Sequence, residues 1–350
     1  MKILGYAAQS STTPLAPFEF ERRALRPNDV LIEILYCGVC HSDLHQARDD
    51  WGYSVYPLVP GHEIVGRVTA VGSKVSRYKV GDSVAVGCLV DSCQECHHCH
   101  HGEEQFCLNG RTDTYNSPDR TTGENNLGGY STHIVVREEF VLRVPAGLDL
   151  AKAAPLLCAG ITTYSPLRTW KAGPGSRVAV VGLGGLGHMA VKLAVGLGAD
   201  VAVLSRTRDK ENDALALGAK HLLVSSDAKA MEAAASSFDL IIDTVPVKHD
   251  INPYLPLLKV DGTLVLVGQV GQLSEPSTVP LVLGRRSIAG SLIGGIEETQ
   301  ELLDFCAKKN ILPECEMIRM DQINEAFERL ERADVRYRFV IDMASLKAAK

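Results

Sequence analysis

The pattern of hydrophobic and polar positions changes in character near residue 150. Up to that point, short runs rich in β-branched residues are punctuated by glycine and proline, which predicts strands joined by turns. The runs that carry this prediction are 30–36, 63–72, 81–87, 130–136 and 141–144. Their spacing favours a mainly antiparallel, barrel-like domain.

From residue 151 onward, short apolar runs alternate with stretches of helical periodicity. Arg177-Val-Ala-Val-Val predicts a buried strand, and the apolar positions from Leu186 to Leu197 keep a helical spacing that Gly198 ends. A helix is predicted over 210–217, and further strands at 201–205, 221–224, 239–244 and 262–268. This alternation predicts a doubly wound parallel sheet.

The tail after Gly284 begins as the last strand of that sheet and then returns to the first domain, with a helix over 298–309 and a strand over 338–342. A chain of 350 residues is longer than one core usually serves. We therefore predict an α/β protein of two domains. A catalytic domain takes residues 1–150 and 285–350, and a dinucleotide-binding domain takes residues 151–284.

Composition and charge exclude several classes of function. The chain is 45% hydrophobic and 22% charged, and its net charge of −6 with no basic run argues against nucleic-acid binding. No apolar run reaches membrane-spanning length. No signal peptide is visible, and ten cysteines then favour a reducing, cytoplasmic compartment in which thiols serve metal sites or the core.

The stretch from Cys37 to His45 places two thiols, two imidazoles, a hydroxyl and a carboxylate in nine residues. Burying such a cluster is costly unless its members pair or bind a metal, and thiolate and imidazole ligands suit zinc. Cys40, His62 and Cys158 would form a Cys2His set, which leaves one position of a catalytic zinc open. The alternative is ordinary burial, which we assign to Cys37 because it follows an apolar strand.

A second group of thiols lies in a lobe at about 88–110 that has little apolar content. Its spacing is Cys93-x2-Cys96-x2-Cys99-x7-Cys107, and four thiolates would close a tetrahedral, structural zinc site. An iron–sulfur cluster is the alternative, but the ferredoxin spacing is absent. The interleaved histidines could be alternative ligands, but we predict that they are solvated loop residues: His97, His98, His100 and His101.

A glycine-rich turn joins the first predicted strand of the second domain to its helix. Its residues are Gly182, Leu183, Gly184, Gly185, Leu186 and Gly187. In this context the glycines allow a backbone approach to a pyrophosphate at the helix N-terminus, although a turn needed only for packing is the alternative.

The next predicted strand ends at Ser205-Arg206-Thr207-Arg208, with Lys210 following. An NAD site needs an acidic residue there for the ribose diol, whereas hydroxyls and cations attract a 2′-phosphate. The segment therefore favours NADP(H), against the alternative of an exposed basic loop.

Several motifs occur in one order over essentially the whole chain: Gly38-Val-Cys-His-Ser-Asp, Gly61-His-Glu, the four-cysteine lobe, Cys158-Ala-Gly-Ile-Thr-Thr-Tyr and the glycine-rich turn. Together they resemble the zinc-dependent medium-chain alcohol dehydrogenases. Tyr164-Ser-Pro-Leu, Asp243-Thr-Val-Pro and Tyr337-Arg-Phe-Val-Ile-Asp are similar to the cinnamyl alcohol dehydrogenase-like branch, which includes microbial NADP-dependent aldehyde reductases. The resemblance implies a GroES-like catalytic domain, an inserted Rossmann domain and usually a homodimer.

The same resemblance implies roles for individual residues. Glu63 would be a fourth zinc ligand that swings on and off the metal, and Asp43 would fix the orientation of His62. Ser42 and His45 would carry the proton. The implied cofactor contacts are Ser42, Thr162, Thr244, Gly268, Ser291, Leu292 and Ile293. The implied substrate channel has Trp51, Cys88 and Leu292 on its walls, and Trp51 departs from the smaller aliphatic residues common in the plant enzymes.

These observations predict an NADP(H)-dependent alcohol dehydrogenase, with two zinc ions per chain, that works mainly as an aldehyde reductase. Zinc would polarise the carbonyl oxygen and NADPH would supply the hydride. An apolar channel favours aromatic or medium-chain aldehydes. The alternatives are an NAD-dependent polyol or alkanol dehydrogenase, a catalytically silent nucleotide-binding paralogue, and a zinc-thiolate redox sensor.

Overall fold

The computed structural model describes residues 1–268 and 271–347. They form two compact units, one made of Met1–Cys158 with the described part of Gly294–Lys350, and the other of Ala159–Ile293. The units therefore divide after Cys158 and Ile293, whereas the sequence suggested divisions after residues 150 and 284. Residues 348–350, which the sequence assigned to the first domain, lie outside the described residues.

The first unit holds the strands of the predicted barrel-like domain, together with further strands from the start of the chain, the cysteine lobe and the tail. Its strands are β1 (Lys2–Ala7), β2 (Ala16–Glu21), β3 (Asp29–Val39), β4 (Ile64–Val71), β5 (Ser83–Val86), β6 (Leu89–Asp91), β7 (Thr112–Asp113), β8 (His133–Arg137) and β9 (Leu142–Arg143), followed after the second unit by β16 (Cys315–Arg319) and β17 (Arg338–Asp342). Its helices are α1 (His41–Ala47), α2 (His97–His100), α3 (Leu150–Ala153), α9 (Ile296–Lys309), α10 (Ile323–Glu331) and α11 (Ala344–Lys347).

A seven-stranded sheet forms the framework of this unit. Its strand order is β16-β17-β3-β4-β5-β9, with β8 paired to β3, and all of its pairs are antiparallel except β16 with β17. The long strand β3 lies at the centre because its alternating apolar residues, such as Val30, Ile32 and Ile34, are buried. Pairing with β17 brings the C-terminal tail beside the residues that lead to Cys40.

The second unit is a six-stranded, wholly parallel sheet with its own helices. The strands are β10 (Arg177–Val181), β11 (Asp200–Ser205), β12 (His221–Val224), β13 (Phe238–Asp243), β14 (Leu258–Leu266) and β15 (Ser287–Gly290). The helices are α4 (Ala159–Thr169), α5 (Gly187–Leu197), α6 (Glu211–Ala216), α7 (Ala228–Ala233) and α8 (Thr278–Gly284).

The strand order of this sheet is β12-β11-β10-β13-β14-β15, and every neighbouring pair is parallel. In chain order this is the 3-2-1-4-5-6 arrangement of the Rossmann fold, which confirms the predicted doubly wound sheet. The order reverses between β10 and β13, so a crevice for a ligand is expected outside the carboxyl ends of these two strands. Gly198 ends α5 with a φ of 95°, as its sequence position predicted.

Two sequence expectations about local structure need correction. The predicted strand over 130–136 begins only at His133, because the preceding residues form a bend. The histidine run is not a loop, because His97–His100 form the helical turn α2, with Cys96 at its N-cap and His101 at its C-cap. The turn includes Cys99 and lies between Cys96 and Cys107, where the sequence has no apolar periodicity that would predict a helix.

Candidate active site and metal centres

Four predicted ligands converge inside the first unit. Cys40 follows β3 and caps α1, His62 and Glu63 directly precede β4, and Cys158 follows the 3-10 turn Ala154–Leu157. Their ligand atoms all lie within 4.8 Å of one another, and all four residues are buried. The Sγ atoms of Cys40 and Cys158 are 3.8 Å apart, and the hydrogen bond between them lowers the pKa of Cys40 well below its usual value.

Asp43 organises the surroundings of this set. Its carboxylate is fully buried and accepts hydrogen bonds from the backbone N–H groups of Cys40 at 2.9 Å and Gly61 at 3.0 Å, and from the hydroxyl of Tyr130 at 3.2 Å. The same carboxylate lies 3.1 Å from Nδ1 of His62. A neutral His62 that donates through Nδ1 keeps its Nε2 lone pair for a metal, which is the arrangement usual for metal-binding histidines.

Glu63 provides the observation that tests whether the site fits a cation. One carboxylate oxygen, Oε1, pairs with the buried guanidinium of Arg338, and the other, Oε2, is buried with no hydrogen-bond partner among the described residues. Burial raises the pKa of Glu63 to about 7, against the opposing charge of Arg338. A buried, unpartnered carboxylate oxygen beside two thiols and an imidazole is the donor set of a zinc ion. The residues therefore fit the metal.

Gly38 makes room for this carboxylate. A Cβ atom at Gly38 would lie 1.8 Å from Oε2 of Glu63, so any larger residue would displace the side chain. Neither Gly38 nor Arg338 was assigned a role from the sequence. The signal for Arg338 was present, because a cation within the apolar run Arg338–Asp342 must find a buried partner.

The predicted proton-carrying residues lie along α1. The hydroxyl oxygen of Ser42 lies 3.7 Å from Sγ of Cys40. Nδ1 of His45 lies 2.7 Å from Oδ2 of Asp50, and its side chain is 33% exposed, so His45 has contact with solvent. The ring of Trp51 packs 5.4 Å from the ring of His45. Sequence reasoning missed Asp50, which fixes the orientation of the imidazole.

Two further side chains line the same region. The Sγ atom of Cys88 lies 3.6 Å from the carbonyl oxygen of Leu157, next to Cys158 in the chain. The ring of Tyr115 stacks 5.8 Å from the ring of His62. The hydroxyl of Tyr115 is buried without a hydrogen-bond partner among the described residues, and burial raises its pKa well above the usual value.

The four thiols of the lobe also converge. The ligand atoms of Cys93, Cys96, Cys99 and Cys107 lie within 4.8 Å of one another. Backbone N–H groups point at three sulfur atoms, with N···Sγ distances of 3.4 Å from Cys93 to Cys107, 3.4 Å from Cys96 to Cys93, and 3.5 Å from Leu108 to Cys96. The N–H of Glu95 contributes most to lowering the pKa of Cys93 to about 6, while burial raises that of Cys99 to about 12. A cation is therefore needed to hold all four as thiolates, and the set fits a closed zinc site.

The glycine-rich turn lies at the carboxyl end of β10. Gly182 has a φ of 86°, which side-chain-bearing residues rarely adopt, and a Cβ at Gly187 would lie 2.2 Å from the carbonyl oxygen of Gly182. A Cβ at Gly184 would meet nothing within 4 Å. These are the three functions of the dinucleotide fingerprint, namely a tight turn, an open backbone for the pyrophosphate and close packing of helix on strand. The residues fit a dinucleotide.

Thr244 and Gly268 lie at the same carboxyl edge of the sheet. The hydroxyl of Thr244 donates to the carbonyl of Val181 at 2.7 Å, and a Cβ at Gly268 would overlap the backbone of Thr244. Next to them, the buried carboxylate of Asp243 lies 2.8 Å from Nε2 of His249. The predicted cofactor residue Thr244 therefore lies at the point where the strand order reverses, and Gly268 packs against its backbone.

The predicted 2′-phosphate residues lie beyond the end of β11. Ser205 is half-buried, and Arg206, Thr207 and Lys210 are exposed. Nζ of Lys210 donates to the carbonyl of Leu183 at 2.9 Å, which ties this segment to the glycine-rich turn. The guanidinium of Arg206 has no hydrogen-bond or ion-pair partner within the described ranges 1–268 and 271–347, and remains available to an anion.

The remaining predicted residues of the second unit are at its two ends. Thr162 is buried in α4. The backbone N–H of Ser291 donates to the carbonyl of Leu266 at 3.2 Å, and Leu292 is 37% exposed. Ile293 has a φ of 37°, which is strained for a β-branched residue.

Comparison with known families agrees with both units. Residues 26–146 match the alcohol dehydrogenase GroES-like domain, and residues 185–308 match the zinc-binding dehydrogenase domain. The chain therefore belongs to the zinc-binding alcohol dehydrogenases, an enzyme family, as its motifs predicted.

Individual relatives agree over nearly the full length. The NADP-dependent alcohol dehydrogenase C 1 of Mycolicibacterium smegmatis is 55% identical over 347 residues, which are 99% of each chain. The aldehyde reductase YahK of Escherichia coli is 54% identical over 348 residues, again 99% of each chain. The structure of a cinnamyl alcohol dehydrogenase from Sorghum bicolor superposes with a TM-score of 0.95 at 45% identity, covering 98% of each chain. No helix within the described residues is long and apolar enough to cross a membrane.

Proposed function

We propose that this protein is an NADP(H)-dependent alcohol dehydrogenase that works mainly as a reductase of aromatic or medium-chain aldehydes. The observation that carries the proposal is the buried set of two thiols, an imidazole and an unpartnered carboxylate oxygen. The names of the relatives support it, since one is an NADP-dependent alcohol dehydrogenase, one an aldehyde reductase and one a cinnamyl alcohol dehydrogenase.

Two zinc ions per chain would serve unlike roles. Cys40, His62 and Cys158 would hold the first, and Glu63 would be a fourth ligand that could either bind the ion or pair with Arg338. When bound, this ion supplies Lewis-acid polarisation of a carbonyl oxygen. Cys93, Cys96, Cys99 and Cys107 would hold the second, which cross-links a lobe with little core of its own.

Around the first ion, the protein would orient the metal ligands and carry protons. Asp43 would hold His62 in the tautomer that leaves Nε2 free for a metal, and its buried carboxylate accepts hydrogen bonds from three further donors. Ser42 would pass a proton between the reacting oxygen and the ribose side of the cofactor. His45, oriented by Asp50, would exchange that proton with solvent.

The cofactor would bind along the carboxyl edge of the parallel sheet and supply the hydride. Its pyrophosphate would lie at the N-terminus of α5, where the backbone of Gly184 is open. Arg206 would pair with the 2′-phosphate, supported by Ser205, Thr207 and Lys210. Thr162, Thr244, Gly268 and residues 291–293 would contact the rest of the cofactor.

Substrate preference would follow from apolar walls. Trp51 and Cys88 would line the channel. A hydroxyl-rich polyol placed against such walls would lose hydrogen bonds to water without replacing them, so flat aromatic aldehydes are favoured.

Steady-state rates of NADPH or NADH oxidation with cinnamaldehyde test this proposal, with sorbitol oxidation as the competing reaction. We expect NADPH to be preferred by about tenfold or more, because a charge-assisted contact contributes about 1.5–3 kcal/mol. Arg206→Asp should narrow or reverse the preference for NADPH over NADH, whereas the matched change Arg208→Asp should leave this preference unchanged. Equal efficiency with both cofactors, or faster oxidation of sorbitol, would contradict the proposal.

A further inference from the structure

The helical turn α2 carries imidazoles that neither zinc set uses. His97 and His101 are four residues apart and exposed, and their ring centroids lie 4.1 Å apart. His98 packs beside them, with its ring centroid 5.5 Å from that of His97. Two histidines at i and i+4 on one helical face are a chelating arrangement for divalent transition metals.

Two of these rings have an oxygen acceptor within hydrogen-bond distance of Nδ1. Nδ1 of His101 lies 2.7 Å from the carbonyl oxygen of His97, and Nδ1 of His98 lies 2.8 Å from Oε2 of Glu103. A neutral imidazole that donates its Nδ1–H to a carbonyl or a carboxylate presents its Nε2 lone pair outward. The same outer contact accompanies metal-binding histidines in general, where it sets the orientation and raises the basicity of the ring.

The ligand type decides the class of ion. Imidazole nitrogen suits Zn²⁺, Ni²⁺ and Cu²⁺, whereas Ca²⁺ and Mg²⁺ require oxygen ligands. Within the described residues, only the two cysteine-containing sets already bring three or more ligand atoms within 4.8 Å of one another. The three imidazoles do not converge in the structure, so an ion would have to draw them together by side-chain rotations that the Nδ1 contacts of His98 and His101 limit. His97 and His101 are exposed and His98 is half-buried, and solvent-accessible side chains rotate on a fast timescale.

We propose that His97, His98 and His101 form a third, surface site for a divalent transition-metal ion, with Glu103 as the positioning residue for His98. The site differs from the neighbouring four-thiol set in its ligands and in its exposure, so an ion there exchanges with solvent. The proposal is independent of the substrate and cofactor proposed above.

Equilibrium dialysis of the untagged, zinc-loaded protein against Ni²⁺, with both metals measured by mass spectrometry, tests it. We expect about one Ni²⁺ per chain with the zinc content unchanged. Retention of no Ni²⁺ would overturn the proposal. Gain of Ni²⁺ matched by an equal loss of zinc would also overturn it, since the thiol sites would then have taken the ion.

Variants locate the ion. Glu103→Gln changes only the outer contact to His98 and should weaken Ni²⁺ binding by about tenfold. The double change His97→Ala with His101→Ala removes two ligands and should weaken Ni²⁺ binding by more than that. The control His221→Ala removes an exposed histidine on β12 and should bind Ni²⁺ as the unmutated protein does. Unchanged binding in the double variant would refute the site, and unchanged binding in Glu103→Gln would remove His98 from it. Zinc content and far-ultraviolet circular dichroism verify that each variant is folded.

Discussion

At the scale of single residues, the ligand identities were readable from the sequence but their supporting partners were not. Cys40, His62 and Cys158 stand in local motifs of thiol and imidazole, and the structure brings them together as those motifs predicted. Arg338, by contrast, meets Glu63 across a separation of 275 residues. Only the pairing of β17 with β3 places the two side chains together, and no local pattern encodes that pairing.

The contact between His45 and Asp50 leads to a prediction about turnover. His45→Ala should lower kcat for aldehyde reduction by about tenfold or more, within the range for acid–base groups, with unchanged zinc content. Ser42→Ala should lower it further, because Ser42 is closer to the metal ligands. Asp50→Asn removes the charged partner of the imidazole and should lower kcat less than His45→Ala.

Steady-state kinetics across the neutral pH range measure these effects. The matched control is Asp49→Asn, because Asp49 lies next to Asp50 but bonds to the backbone of Ser54 and not to an imidazole. Full activity of His45→Ala at every pH would contradict the relay while leaving the zinc site intact.

At the scale of elements, periodicity predicted the long helices and buried strands and failed on short pieces. The helix predicted over 298–309 is α9, and the strand predicted over 338–342 is β17. The three-residue strand β6 and the two-residue strand β7 frame the cysteine lobe, and they are too short to show any alternation. The turn α2 was not predicted for the same reason, because its four residues are too few to show a helical periodicity and none of them is buried.

The cysteine lobe is expected to depend on its metal for stability. Cys99→Ser should lower the unfolding temperature and the zinc content, because a structural zinc site contributes folding free energy. Activity per folded molecule should fall much less than in Cys158→Ser. The control Cys315→Ser changes a half-buried thiol outside both sets. Calorimetry with metal analysis checks the prediction, and one zinc per chain in fully active, fully stable protein would contradict it.

An acidic loop contact in the first unit predicts a pH dependence of stability. Burial alone would raise the pKa of Asp119, but the Arg26 guanidinium and the N–H groups of Thr121 and Thr122 outweigh it and hold the pKa below its usual value. A depressed carboxyl pKa stabilises the folded state above the ordinary value near ~4, and this contribution is lost as the pH falls below it.

Asp119→Asn should therefore lower the free energy of unfolding by about 1–2 kcal/mol at neutral pH, with a difference that shrinks as the pH falls below ~4. Urea unfolding of both proteins at several pH values measures this difference. The control Asp321→Asn breaks an exposed pair with Arg319 and should change stability little at any pH. A difference that stays constant or grows in acid would show that the ionised carboxylate is not the stabilising species.

At the scale of the whole molecule, the change of pattern near residue 150 predicted two kinds of sheet, and both are present. The Rossmann order of the second unit follows from alternating strand and helix, because parallel strands need crossover connections. The pattern did not predict what covers the outer edge of β15, the last strand of the second sheet. β15 lies at the edge of the six-stranded sheet, and its outer side pairs with no strand within residues 1–268 and 271–347.

That edge leads to the prediction that the protein is a homodimer. The helix α8, two residues before β15, exposes Val279, Val282 and Leu283 to the extent of 62%, 76% and 81%. An unpaired edge strand beside exposed apolar side chains is a liability in a monomer and a self-complementary surface about a two-fold axis. Antiparallel pairing of β15 with its copy would join two sheets and cover both helices.

Size-exclusion chromatography with light scattering should give a dimer for the unmutated chain and a monomer for the double change Val282→Glu with Leu283→Glu. Val247→Glu places a single glutamate at a side chain 64% exposed outside α8 and β15, and should remain dimeric. A monomeric unmutated protein would remove the proposed interface. A double variant that stays dimeric would place the interface elsewhere, because two buried glutamates could not be tolerated at the proposed contact.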